Sequence, residues 1–171
     1  EFLAARYREQ DPDGWREAHE RACDWLSERD FRTEAVEHAL AIQDSERLAG
    51  LIERHGAELV RRGRIGTVSR WLAALPEELI ASRSALMLVM AWSLVLSRRI
   101  DEADAWLQRV DPSQAANEAD ALRLRAELAV CRATVARFRG DADAIVELSA
   151  EGLDYLHRAG LVNHPDYCVA L

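Results

Sequence analysis

Lysine is missing from this chain: every one of its 22 basic residues is arginine. That removes a Schiff-base lysine and the lysine of a phosphate-binding loop from the segment. Proline and glycine are scarce, at 4 and 8 of 171 residues, so obligatory breaks in helix are few. No stretch has a convincing alternation of period two. No apolar run approaches the ~20 residues that a membrane span needs. The richest run, Ala85 to Leu96, is too short for that and predicts a buried helix. Positive charge is also in deficit: the net charge of −8 argues against a grip on nucleic acid, which needs a basic surface. The three cysteines, Cys23, Cys131 and Cys168, are odd in number and far apart. Buried free thiols in a reducing cytoplasm are expected of them. No signal peptide opens the chain, and a start on Glu1 is expected of a piece of a longer protein.

What is abundant is Ala, Leu, Glu and Arg, with 49% hydrophobic residues, a composition that favours helix throughout and suffices for a core. A period runs beneath it. Ala35, Ser69 and Ala103 are 34 residues apart, and Ala144 follows after 41. Twelve residues before them stand Cys23, Ala57, Ala91 and Arg132; nine before, Leu26, Val60, Leu94 and Val135; four after, Ala39, Ala73, Leu107 and Leu148. Small residues at a fixed 34-residue spacing mark tetratricopeptide-like (TPR-like) helical hairpins, each leaving an apolar face for the next to cover. The expected fold is all-α, with antiparallel hairpins stacked as an α-solenoid. Leu94, Leu107, Val135 and Leu148 should each bury most of a side chain, worth roughly 1.5–3 kcal/mol apiece. Arg132 breaks the pattern: either its stem packs while its head reaches out, or the fourth unit is splayed.

Boundaries follow from caps and breakers. Glu1 to Glu9 reads as the tail of a preceding helix, stopped at Asp11-Pro12-Asp13-Gly14, where Asp11 caps and Pro12 opens the next. A turn near Asp30 leads to a helix over 33–41. Asp44 or Ser45 caps another, and Gly63 and Gly66 bracket its end and the following start. A short helix carrying Val68, Trp71, Leu72 and Leu75 stops at Pro76, with one more turn over 77–80. Helices over 84–97 and 101–110 form the clearest hairpin. Asp111-Pro112-Ser113-Gln114 is the main loop before a long helix, 117–139, and its partner, 141–158, separated by Gly140. His164-Pro165-Asp166 opens a further helix.

Motifs that carry chemistry are few. His19, His38, His55, His157 and His164 include no i, i+4 pair, and there is no Cys-x-x-Cys, so no metal site is expected. No G-x-S-x-G elbow occurs, and Gly63-Arg64-Ile65-Gly66 is a turn. The acidic pairs Glu77-Glu78 and Asp101-Glu102 sit in first turns, where they offset the helix dipole. Arg61, Arg62 and Arg64 do the same at a helix end. No catalytic, cofactor-binding or metal residue is assigned. Trp25, Trp71 and Trp106 follow the apolar stripes and are expected in the core. In tetratricopeptide-like geometry the residue after the small position faces the concave side; here that is Trp92, with Ala133 equivalent. Val95, Ala136 and Arg137 lie further along that face, so these five residues form the candidate ligand or partner surface.

Several strings carry a family resemblance: Trp15 to Leu26, Glu34 to Leu40, Ala49 to Gly56, Trp71-Leu72-Ala73-Ala74-Leu75-Pro76, Ala91 to Leu94 and Asp101-Glu102-Ala103. The chain resembles the middle of the MalT-like large ATP-dependent LuxR-family transcriptional regulators, well over residues 1–110 and more loosely beyond. Residues 1–11 would be the tail of the winged-helix region, and 12–171 the start of a repeat domain that continues past Leu171. Ile42-Gln43-Asp44 and Ile100-Asp101 stand where such proteins more often have Gly before the Asp, which bears on turn geometry. The resemblance implies a cytoplasmic sensor or scaffold portion that binds a small-molecule inducer or a regulatory protein and takes part in self-association. ATP would be held upstream and DNA by a C-terminal helix-turn-helix, so this segment itself would touch neither. The runner-up is a free-standing tetratricopeptide-like interaction scaffold.

Overall fold

Short-range capping starts most of the long helices. In the computed structural model, which describes residues 2–161, the Asp11 carboxylate accepts from the Gly14 N–H at 2.9 Å, and Pro12 takes the first helical position. Asp44, Asn117 and Asp141 repeat the arrangement on the N–H three residues ahead, at 3.0, 3.0 and 3.1 Å. The resulting helices are α1 Phe2–Gln10, α2 Pro12–Glu28, α3 Arg32–Ala41, α4 Ser45–Arg61, α5 Ile65–Leu72, α6 Glu77–Ala81, α7 Ser84–Leu96, α8 Ile100–Leu107, α9 Glu118–Arg139 and α10 Ala142–Arg158. A 3-10 turn, Pro112–Gln114, fills the main loop. No strand occurs among the described residues. The further helix expected from His164, and Cys168, lie outside them.

Helix ends are as regular as the starts. Residues 30, 43, 63, 98, 140 and 160 all have φ between 54° and 77°. In each case the following N–H donates back to the carbonyl five residues earlier, from Phe31 to Leu26, Asp44 to Ala39, Arg64 to Leu59, Arg99 to Leu94, Asp141 to Ala136 and Leu161 to Leu156, at 2.9–3.1 Å. This is the left-handed closure that satisfies otherwise orphaned carbonyls. Four of these turns, at Asp30, Gly63, Arg98 and Gly140, end α2, α4, α7 and α9, and each reverses the chain into α3, α5, α8 or α10.

Each reversed pair packs together, and α4 lies against α7, which lies against α9. One continuous core threads the pairs, from Cys23, Ala35 and Val36 through Leu51, Ile52, Val68 and Trp71 to Leu86, Leu88, Leu107 and Cys131. Small residues set the closest approaches. A Cβ on Gly56 of α4 would come within 2.8 Å of Val89 Cγ1 on α7, and one on Gly152 of α10 within 3.3 Å of Val130 Cγ2 on α9.

Four expectations need correction or completion. Trp25 is 51% exposed, stacked flat on Phe31 with centroids 6.4 Å apart. Adjacent helical residues point about 100° apart, and it is Leu26 that packs on the core. In the second unit, Ser69 and Ala73 are exposed because the bulky Trp71, with Val68 and Leu72, takes the inward face of the short α5. Leu148 is only half-buried, whereas Leu94, Leu107 and Val135 are in the core. Finally, Arg132 is half-buried, and its Nη2 donates to the Leu107 carbonyl at 3.1 Å, so its stem crosses the packing surface while its head caps α8.

Candidate functional site

The side-by-side placement of α4, α7 and the start of α9 leaves a groove of about 750 Å³. Its floor is apolar and small: Ala57 of α4, Ala85 and Val89 of α7, and Leu124 of α9. Ala85, Val89 and Leu124 recur on faces that the 3.6-residue helical period turns toward the same space. The Ser84 hydroxyl, nearly buried at the start of α7, donates to the Asp111 carbonyl at 2.9 Å and accepts the Asp111 N–H at 3.1 Å. This ties the 111–116 loop over one end, where Gln114 and Ala116 complete the wall.

The walls carry charge in pairs. Glu53 of α4 receives Arg83 Nη1 at 3.1 Å, and Arg83 also reaches Glu46. Glu58 is held by Arg32 from α3 and by Arg62 Nη2 at 2.7 Å. Glu127 accepts from Arg123 Nε at 3.2 Å on α9. Arg54, exposed on the rim, donates its Nε to the Gly50 carbonyl at 3.2 Å. Glu58 and Glu127 are more enclosed than Arg62 and Arg123, whereas Arg83 is about as enclosed as Glu53 and Arg32 as Glu58. Such a groove offers many hydrogen bonds around an apolar strip, the usual make-up of a ligand or peptide site. Among the described residues, no group of three or more His, Cys, Asp or Glu side chains is placed to hold a metal ion.

The five surface residues expected from the sequence are not brought together. Trp92 is half-buried and packs on the core, one turn beyond Val89 on the groove-facing stripe of α7. Val95 is 0% exposed and belongs to the core, so it offers no surface. Ala133 and Ala136, at 8% and 7%, continue the small-residue stripe of Ala126, Ala129 and Val130 against which Gly152 of α10 approaches. Arg137 is exposed, with its guanidinium 5.7 Å from the Phe138 ring; Arg98 covers the same ring at 4.6 Å.

Two features were not read from the sequence. The Arg83–Glu53 and Arg32–Glu58 pairs join residues 30 and 26 apart, distances at which charge complementarity has no sequence signature. His19 on α2 and His38 on α3 meet with their Nδ1 atoms 2.9 Å apart. A signal for that pair existed: the two positions lie 11 before and 8 after Asp30, and an antiparallel hairpin brings nearly equidistant residues face to face.

No protein-family model and no solved structure matches the chain. It is 32% identical over 140 residues, 80% of its length, to the serine/threonine-protein kinase PknK of Mycobacterium tuberculosis. It is 28% identical over 140 residues, 82% of its length, to the HTH-type transcriptional regulator MalT of Klebsiella pneumoniae, and 28% over 145 residues, 84% of its length, to MalT of Yersinia pestis. The chain spans only 13–16% of the length of these relatives. Among the described residues no helix is long and apolar enough to cross a membrane.

Proposed function

We propose that this chain is the sensor or scaffold portion of a MalT-like, ATP-dependent LuxR-family transcriptional regulator. Its hairpins form a TPR-like stack, and the stack binds a small-molecule inducer or a regulatory protein. The observation that carries the reading is the groove: three successive first helices, α4, α7 and α9, line one side of the array and share one recess. The likeness to MalT over more than four fifths of the chain supports the same reading. ATP would be held elsewhere in the parent protein, as would the DNA contact, and this segment would perform no catalytic step. A bound effector would act by preferring one arrangement of the hairpins over another and so shift the parent between resting and self-associating states.

The likeness to PknK favours a second reading, in which the same kind of helical array serves a kinase. The reading frame around this segment separates the two. A phosphate-binding loop upstream and a helix-turn-helix downstream are expected for the regulator. A kinase domain upstream supports the second reading, and neither feature leaves a free-standing scaffold. In the intact parent, Glu53→Arg together with Arg123→Glu should abolish the effector response while helicity is kept. Trp92→Ala should weaken it with the fold intact.

A further inference from the structure

We propose that His19 and His38 form a proton-operated latch that helps hold α1 and α2 against α3 at the start of the array: closed with one proton between the two Nδ1 atoms, opened by a second.

The geometry is specific. The two Nδ1 atoms are 2.9 Å apart and the ring centroids 4.7 Å. A contact of that length needs a proton on one nitrogen and a lone pair on the other. Two neutral rings satisfy it, and so does one imidazolium facing one imidazole, as a charge-assisted bond. Two imidazolium rings cannot, because N–H then points at N–H with like charges only a hydrogen-bond distance apart. Histidine is the side chain whose unperturbed titration falls in the physiological range, so that second proton is within reach of mild acid.

The pair is also mechanically connected. Trp15 lies on His19 with centroids 4.1 Å apart, and Tyr7 of α1 meets the edge of Trp15 at 6.1 Å. The run Tyr7–Trp15–His19–His38 therefore crosses three helices and ends in one side-chain hydrogen bond to α3, beside the apolar packing of Cys23 with Ala35 and Val36. Most charged groups on the packed elements are engaged by one another, and Arg6, Arg8 and Glu9 of α1 are exposed. On α2, Arg16 pairs with Glu20 at 3.9 Å, and Asp24 is taken by Arg47 of α4. On α3, Arg32 pairs with Asp30 and with Glu58 of α4, while Glu34 and Glu37 are exposed. Asp44, which caps α4, is engaged by Arg47. Cys23, one turn from His19, is a buried thiol. Burial, and then the charge of His38, hold the His19 imidazole below its ordinary range, in keeping with a site that resists the second proton until the contact breaks.

The test is hydrogen exchange on the full chain at about pH 7.5 and about pH 5.5, after correction for intrinsic rates. Amides of α1, α2 and the first turns of α3 should lose protection at least roughly tenfold more than those of α7 and α9. His38→Gln, which keeps a hydrogen-bonding group but takes no proton, should remove that difference. His55→Gln, on α4, should leave it in place. Equal protection at both pH values overturns the proposal, as does acid opening that survives in His38→Gln. The wild-type chain supplies a second measure, independent of whether the variants fold. Its two Nδ1 nitrogens should show a through-hydrogen-bond coupling by NMR at about pH 7.5 that is lost at about pH 5.5. A coupling that is absent at about pH 7.5, or that survives at about pH 5.5, overturns it equally.

Discussion

Arg132 of α9 donates through Nη2 to the backbone carbonyl of Leu107, the last residue of α8, at 3.1 Å. An arginine therefore occupies a position where the other three units have Cys23, Ala57 and Ala91, and it does so by capping the helix it crosses. A cation at a helix C-terminus meets both the orphaned carbonyl and the negative dipole end. Arg132→Met keeps the stem and deletes the cap. It should cost about 1–2 kcal/mol, read as a lower urea midpoint with an unchanged slope.

Two glycines of one helix should respond to alanine with opposite signs. Gly50 and Gly56 are both inside α4, and a Cβ at Gly50 meets nothing within 4 Å, while one at Gly56 meets Val89 Cγ1 at 2.8 Å. Gly50→Ala gains helix propensity alone and should stabilise by about 0.5–1 kcal/mol. Gly56→Ala must push α4 away from α7, and overpacking of about 1–3 kcal/mol outweighs the same propensity gain. Thermal unfolding of the two variants side by side checks the pair.

Gln43 has φ 54° in the turn between α3 and α4, a conformation that costs a side-chain-bearing residue but not glycine. The family resemblance expects glycine at this place, and Gln43→Gly should stabilise by about 0.5–1 kcal/mol. Arg98, at φ 64°, is the instructive contrast, because its guanidinium lies 4.6 Å from the Phe138 ring. Arg98→Gly loses that cation–π contact and should gain less than Gln43→Gly in the same denaturation assay.

Stability should fall in mild acid. His19 is held below its ordinary value of 6.5 by burial and then by His38, and His55 by burial and then by Arg32 and Arg54. His55 Nε2 is moreover buried without a hydrogen-bond partner among the described residues. A folded-state value below the unfolded one means that the unfolded chain binds more protons, so stability rises with pH through this window. The contribution is complete above about pH 6.5 and is lost as pH falls toward the folded values. Urea midpoints that fall from pH 7.5 to 5.5, and fall less in His55→Gln, are the expected outcome.

Cys23 and Cys131 should be inert. Both are buried free thiols, and burial is the first cause raising each above the ordinary thiol range, strongly so for Cys131. The thiolate is the reactive form. A disulfide reagent at about pH 8 should therefore label neither residue in the native chain and both after unfolding.

Helix limits were nearly all legible in the sequence because the interactions that set them are local. Asp11, Asp44, Asn117 and Asp141 each cap an N–H three residues ahead, and each left-handed closure spans five residues. The 34-residue period likewise put Cys23, Ala35, Ala91 and Ala103 in the core, where all four are found. What the tertiary structure decided is which way each helix turns. It chose Leu26 over Trp25 for the interior, buried Val95 while leaving Trp92 at the edge, and laid Ala133 and Ala136 on the stripe that faces α10. It also joined Arg83 to Glu53, Arg132 to Leu107 and His19 to His38. Caps and turns close within a few residues whatever surrounds them. The rotation of a helix about its axis, and the partners of its long polar side chains, are fixed only when a neighbouring helix removes one face from water.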